Sequence, residues 1–152
     1  MALTGSVETT VEIKSTADKF YNLWKTQVYH LPTISSDHIQ NIDLHEGEWH
    51  DDGAVKLWSY TLDGKELTVK EKVTFDEENK VITFYILEGD LVKDFKLFTA
   101  RIKVIPNEDG NGGVVKWTVD YEKISSDIGA PDSYMTMAEK LTKDVDAHLL
   151  NN

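Results

Sequence analysis

The chain has 152 residues, and 16 basic against 27 acidic side chains leave a formal charge of −11 at pH 7. With 40 % hydrophobic and 28 % charged residues, the composition excludes a disordered chain and a membrane-embedded one. All basic side chains except Arg101 are lysines, whereas a duplex binder needs a basic face with arginine forks, so nucleic acid is not an expected partner.

In chain order, Ser6 to Ile13 alternates, with Val7, Thr9, Val11 and Ile13 on one side and Ser6, Glu8, Thr10 and Glu12 on the other. This pattern predicts a half-buried strand. Ser15-Thr16-Ala17-Asp18 opens a short helix with Ser15 as the expected N-cap and with Phe20, Leu23 and Trp24 at helical spacing. Pro32 limits a second helix to one or two turns before it.

From here the pattern is β-rich. Strands are expected at His38–Leu44, Ala54–Leu62, Glu66–Phe75, Val81–Leu87, Phe95–Ile105 and Val114–Lys123, separated by turn-like segments such as Asp63-Gly64 and Asn107–Gly113. None is followed by a crossover helix, so consecutive antiparallel hairpins are expected. After Gly129-Ala130-Pro131 the period changes. Tyr134, Met137, Ala138, Leu141, Val145, His148 and Leu149 mark one face of a helix of about 20 residues, and Lys140, Lys143, Asp144 and Asp146 occupy the rest.

The expected architecture is therefore α+β: a curved antiparallel sheet of seven strands around a long C-terminal helix, with two short helices after the first strand, in one domain over residues 1–152. One helix cannot fill the hollow of a wide curved sheet, so an internal cavity is expected. The chain has no cysteine, no apolar run near the ~20 residues of a bilayer span, and no leader-like pattern at Met1-Ala2-Leu3-Thr4-Gly5. These features lead to the expectation of a cytoplasmic protein without stable membrane anchoring.

Strand parity names the side chains that face the hollow. Leu67, Val69, Glu71, Val73 and Phe75 share a face opposite Lys70 and Lys72; Ile82, Phe84 and Ile86 oppose Thr83 and Tyr85; Phe98, Ala100, Ile102 and Val104 oppose Lys96, Arg101 and Lys103. Two strands are less clear. Val55 and Leu57 compete with Trp58 and Tyr60. Val115, Trp117, Val119 and Tyr121 are favoured, but a bulge would turn Lys116 and Thr118 inward. Glu71 is the one carboxylate on an apolar face, where it must be hydrated, paired or protonated. It either anchors a ligand hydroxyl or a bound water, or forms an ion pair at the open end of the strand.

Other constellations are weaker. His45, Glu46, Glu48, His50, Asp51 and Asp52 lack convergent zinc-ligand spacing and read as a solvated loop. Asp109-Gly110-Asn111-Gly112-Gly113 lacks the spaced acids of a calcium loop and reads as a hairpin turn. No serine sits in a nucleophile elbow. No metal or cofactor is expected.

Gly47-Glu48-Trp49-His50-Asp51-Asp52-Gly53, followed by Val55-Lys56-Leu57-Trp58-Ser59-Tyr60, resembles the signature of plant major latex proteins, members of the birch pollen allergen (Bet v I), START-like superfamily. Asp43–Gly47, Val69-Lys70-Glu71-Lys72-Val73, Leu87-Glu88-Gly89-Asp90, Trp117–Lys123 and Ala147-His148-Leu149 extend the resemblance over essentially the whole chain. It implies a helix-grip fold, a large hydrophobic cavity, and reversible binding of sterols, flavonoids, cytokinins or fatty acids in connection with defence and stress. Carried over by position, the ligand-facing set is Leu23, Trp24, Ile39, Trp58, Tyr60, Val69 and Glu71, then Ile82, Phe84, Ile86, Phe98, Ala100 and Ile102, and on the last helix Tyr134, Met137, Ala138 and Leu141. The resemblance thereby selects Trp58 and Tyr60 as inward.

The allergen branch carries a G-x-G-G-x-G loop. Here that loop keeps only Gly47 and Gly53 among Glu46, Glu48, Asp51 and Asp52, so it is no phosphate cradle. Some relatives catalyse condensations or isomerisations with lysine, tyrosine and carboxylate. Glu71, Tyr60 and Tyr134 are the corresponding candidates here, without an inward lysine, and catalysis stands second to carriage. Leu62-Asp63-Gly64-Lys65 lacks the Ser-Gly-Leu-Pro-Ala gate of the abscisic-acid receptors, so ligand-gated signalling ranks third. Ligand entrance is expected between the Pro32 region, the strand-connecting loops and the start of the last helix.

Overall fold

The computed structural model describes residues 3–151. Met1 and Ala2, where the leader reading begins, and Asn152 lie outside the described residues. The elements run β1 (Thr4–Ile13), α1 (Ala17–Thr26), a 3-10 turn (Val28–His30), α2 (Leu31–Ile34), β2 (Ile39–Glu46), β3 (Val55–Leu62), β4 (Lys65–Asp76), β5 (Val81–Gly89), a second 3-10 turn (Asp90–Lys93), β6 (Phe95–Pro106), β7 (Gly113–Lys123) and α3 (Asp132–Leu150). The strands form one antiparallel sheet in the order β1-β7-β6-β5-β4-β3-β2. β2 to β7 are successive hairpins, and β1 closes onto β7, so the expected helix-grip architecture is what the chain adopts. α1 and α2 carry the chain from one sheet edge to the other, and α3 lies against β1, β3 and β7.

The capping differs from expectation. Thr16, not Ser15, is the N-cap of α1, its Oγ1 accepting the Lys19 N–H at 3.2 Å. Ser15 is instead buried and held by α3: its N–H and Oγ–H both donate to Asp146 Oδ1, at 2.9 and 2.6 Å. Asp144, also read as part of the outer face, accepts from Ser35 Oγ at 2.6 Å and so ties α2 to α3. Pro32 does not end a helix. A 3-10 turn precedes it and Pro32 sits in the first turn of α2, where its missing N–H has no helical partner to lose.

Register shifts interrupt the β2–β3, β4–β5 and β6–β7 pairings. Between β4 and β5 the pairing steps from Lys70↔Glu88 to Glu71↔Ile86, which leaves Leu87 unpaired and carries β5 two residues past its expected end. Gly89 then faces Val69 at φ 113°, and a Cβ there would lie 2.3 Å from the Thr68 carbonyl oxygen. Only glycine fits this approach. β7 carries no register shift against β1, and its one shift against β6 lies on the β6 side, between Phe95 and Leu97. Val115, Trp117, Val119 and Tyr121 therefore face inward, while Lys116 pairs with Glu8 on the outside at 3.2 Å.

The acidic loop between β2 and β3 uses its carboxylates to fix backbone. Asp51 Oδ2 accepts the Glu48 N–H, and Asp52 Oδ1 accepts the Phe75 N–H at 2.8 Å. Asp109 Oδ1 likewise accepts the Asn111 N–H in the β6–β7 hairpin turn.

Candidate ligand-binding site

Between α3 and the concave face of the sheet lies a cavity of about 90 Å³. Every strand from β2 to β7 contributes to its wall. Ile39, Trp58, Tyr60, Val69 and Glu71 come from β2 to β4, and Phe84, Ile86, Phe98, Ala100, Trp117 and Val119 from β5 to β7. Trp24 of α1, Leu91 of the second 3-10 turn, and Tyr134, Met135, Met137, Ala138 and Leu141 of α3 complete it. The hollow is narrower than the ~300–1,000 Å³ of small-molecule pockets, and aromatic rings are the reason. Trp24 stands edge-on to Phe84 and to Trp117, whose centroid is 5.3 Å away, and Trp58 also stands edge-on to Phe84.

Leu23, Ile82 and Ile102, which the resemblance counts among ligand-facing residues, are fully buried but lie outside this wall. Ile82 and Ile102 are cross-strand partners, one inward row beyond the Phe84–Ala100 pair. Leu91, Trp117, Val119 and Met135 line the cavity in addition. Parity already gives Trp117 and Val119 an inward face. Met135 reflects a small rotation of α3, whose most buried line is Met135, Ala138, Leu141, Thr142 and Val145. Hydropathy passes over Thr142, yet its Oγ1 accepts from Trp117 Nε1 at 2.7 Å and donates to the Ala138 carbonyl, locking helix to sheet.

The parity that turns Trp58 and Tyr60 inward also turns Lys56 inward. Lys56 is 2 % exposed, sits directly across from Glu71 in the β3–β4 ladder, and holds its ammonium 5.8 Å from the Trp49 ring centroid. The signal for an inward lysine is its shared parity with Trp58 and Tyr60, which the charge of Lys56 masks. Burial pushes the Lys56 ammonium below the usual lysine value, with Glu71 opposing. Burial likewise pushes the Glu71 carboxyl up to about 8, against the pull of Lys56 and, more weakly, of the Trp58 indole. That indole is near but makes no hydrogen bond, and Glu71 Oε1 and Trp58 Nε1 are both buried without a partner. Of the two readings of Glu71, the ion pair at a strand end is not formed among the described residues.

At the other end of the cavity the Tyr60 and Tyr134 hydroxyls are hydrogen-bonded to each other. Tyr134 and Leu91 also wall a surface cleft of about 380 Å³ formed by the β3–β4 turn, the second 3-10 turn and the Asp127–Pro131 approach to α3. Pro32 is not among the residues of the cleft. Asp63, Asp90, Asp94 and Asp127 stand around it, with Lys65 as the single cation among the described residues of its lining. Among the described residues no helix is long and apolar enough to cross a membrane.

The family model for the pathogenesis-related protein Bet v 1 family matches residues 2–152. MLP-like protein 31 of Arabidopsis thaliana is 37 % identical over 99 % of this chain and 88 % of its own length. Major latex protein 146 of Papaver somniferum is 37 % identical over 97 % of this chain and 92 % of its own. The chain spans about half the length of two other curated relatives, 45 % of MLP-like protein 28 and 47 % of MLP-like protein 34, both of Arabidopsis thaliana. The crystal structure of ginseng major latex-like protein 151 from Panax ginseng superposes with a TM-score of 0.92 at 37 % identity, covering 98 % of this chain and 99 % of that one. Norcoclaurine synthase from Thalictrum flavum, solved with dopamine and hydroxybenzaldehyde, shares the fold at a TM-score of 0.72 and 18 % identity, over 95 % of this chain and 88 % of that one. Sequence, architecture and a cavity gripped between sheet and helix agree: this chain belongs to the Bet v 1 family, among its major latex protein-like members.

Proposed function

We propose that the chain reversibly binds a hydrophobic small molecule in the cavity beneath α3 and stores or carries it. The observation that carries this reading is the almost wholly apolar wall contributed by three tryptophans and by α3. Burial against such a wall contributes roughly 25 cal/mol per Å² and discriminates little among apolar shapes. The proposed ligand class is accordingly broad: sterol, flavonoid, hormone or lipid-like plant metabolites, in a cytoplasmic protein acting in defence or stress responses.

The proposed contacts are the wall residues from Trp24 to Leu141, with Leu23, Ile82 and Ile102 supporting them from behind. A ligand larger than the 90 Å³ hollow enters by way of the 380 Å³ cleft when the Tyr134 and Leu91 side chains swing aside and join the two spaces. The route keeps two of the expected borders, the strand-connecting loops and the start of α3.

A second reading, a cavity enzyme, is favoured by one observation. Lys56 and Glu71 face each other across adjacent strands, and opposite shifts bring an amine and a carboxyl toward neutral pH as base and acid.

The test is a fluorescence titration with N-phenyl-1-naphthylamine on wild type, Met137→Trp and Leu141→Trp. Saturable one-to-one binding that both tryptophan variants abolish, with their thermal unfolding still cooperative, is the expected result. Undiminished affinity in both variants overturns the cavity as the site.

A further inference from the structure

Among the described residues, three side-chain atoms in the cavity wall are buried without a hydrogen-bond partner: Trp24 Nε1, Trp58 Nε1 and Glu71 Oε1. The Tyr60 and Tyr134 hydroxyls of the wall are hydrogen-bonded to each other, and Trp117 Nε1 donates to Thr142. Native proteins rarely leave buried donors and acceptors orphaned, and where they do the site is poised for something to complete it. Trp58 and Glu71 belong together. Trp58 is paired with Val69, two residues from Glu71 on the same inward face, and its indole is near enough to act on the Glu71 carboxyl. Trp24 also stands edge-on to Phe84, but it comes from α1 and not from the β3–β4 ladder.

We propose that Trp58 and Glu71 form a polar head site within the cavity, and that the molecule it takes is an uncharged apolar alcohol or phenol whose hydroxyl accepts from Trp58 Nε1–H and donates to Glu71 Oε1. This rests on the proposed function above, whose ligand it makes specific. An indole N–H can only donate, so its partner must carry a lone pair. The carboxyl oxygen facing it calls for a hydrogen. A hydroxyl supplies both from one small group, and because it both donates and accepts it serves Glu71 with or without its proton.

The competing head groups each fail one requirement. An ammonium only donates and leaves Trp58 orphaned. A hydrocarbon satisfies neither group. A carboxylate only accepts, so it serves Glu71 only while that carboxyl keeps its proton, and it must also pass a cleft carrying Asp63, Asp90, Asp94 and Asp127 against Lys65, a field that repels anions. The neutral hydroxyl crosses that field without penalty.

The experiment is isothermal titration of the full chain with 4-ethylphenol and with 4-ethyltoluene, which differ by a hydroxyl in place of a methyl. Wild type is expected to bind the phenol about tenfold or more tighter than the hydrocarbon. Trp58→Phe and Glu71→Leu, on different strands, are each expected to cut that ratio by about tenfold while still binding 4-ethyltoluene, which reports an intact cavity in the same titration. If wild type binds 4-ethyltoluene as tightly as the phenol, or if neither variant changes the ratio, the head site is overturned and the apolar cavity stands. If wild type binds neither probe and also fails to bind N-phenyl-1-naphthylamine, the proposed function falls with it.

Discussion

The Tyr134 hydroxyl on the first turn of α3 is hydrogen-bonded to the Tyr60 hydroxyl on β3, where the cavity meets the surface cleft. The two rings stand edge-on at 6.0 Å between centroids, and Phe98 packs edge-on against Tyr134 from β6. Burial first, and then each other's proximity, raises the Tyr60 hydroxyl above its ordinary value. Burial pushes Tyr134 up to about 12 despite the bond to Tyr60. Both therefore keep their protons throughout the neutral range, and the contact is a pH-insensitive latch.

Tyr134→Phe removes the latch with little change of shape. The expected cost is about 1 kcal/mol of stability, and the expected gain is release of N-phenyl-1-naphthylamine that is about threefold to tenfold faster. Stopped-flow dissociation checks this. An unchanged rate places the ligand's exit elsewhere.

Glu71 makes stability depend on pH. Its folded-state value of about 8 exceeds the unfolded 4.5, so the folded chain binds the extra proton. The stabilisation is complete below pH 4.5 and is lost as pH rises through 8, at up to about 1.4 kcal/mol per pH unit between them. Lys56 has the opposite sign. Its folded value lies below 10.5, so stability recovers as pH rises from that folded value toward 10.5. Denaturant unfolding of wild type between pH 5 and 9 is expected to show the fall, and Glu71→Gln to flatten it.

The same parity rule that names most of the cavity wall also explains what the sequence leaves unread. Alternation along β4 and β6 is legible because lysines and arginine mark the outer face, and along β5 because Thr83 and Tyr85 oppose the apolar residues, whereas on β7 a bulge at Lys116 stays open in the sequence. On β3 the buried Lys56 breaks that rule. Its charge reads as outward, although Trp58 and Tyr60 at the same parity lie inside. Asp144 and Asp146 are misread as solvent-facing for the same reason, since their partners Ser35 and Ser15 lie more than a hundred residues away. Bulges are equally hidden. Nothing local announces that Leu87 drops out of register, although Gly89 two residues on is its fixed consequence.

Gly89→Ala is therefore expected to be costly. It combines φ 113° with a backbone oxygen 2.3 Å from the new Cβ, and a loss of more than about 2 kcal/mol is expected. Gly64→Ala is the control: φ is 76° and nothing lies within 4 Å, so only the left-handed strain of about 1 kcal/mol applies. Thermal or denaturant unfolding of the two variants separates close approach from strain.

Asp146 is expected to matter more than its place on an outer helix face implies. It accepts from Lys14 N at 3.0 Å as well as from Ser15 N and Oγ, joining α3 to the β1–α1 corner. Asp146→Ala is expected to cost about 2–3 kcal/mol, as hydrogen bonds to charged groups do. Amide exchange at Lys14 and Ser15 is expected to accelerate, and unchanged protection there refutes the clamp.

The central claim is that the cavity holds an apolar molecule. Native mass spectrometry of the protein purified from its own tissue, followed by extraction and identification of what is bound, tests it most directly. The expected result is a near-stoichiometric adduct of an uncharged, hydroxyl-bearing apolar metabolite that Leu141→Trp no longer retains. A protein that arrives empty, and that also takes up no apolar probe in titration, contradicts the claim.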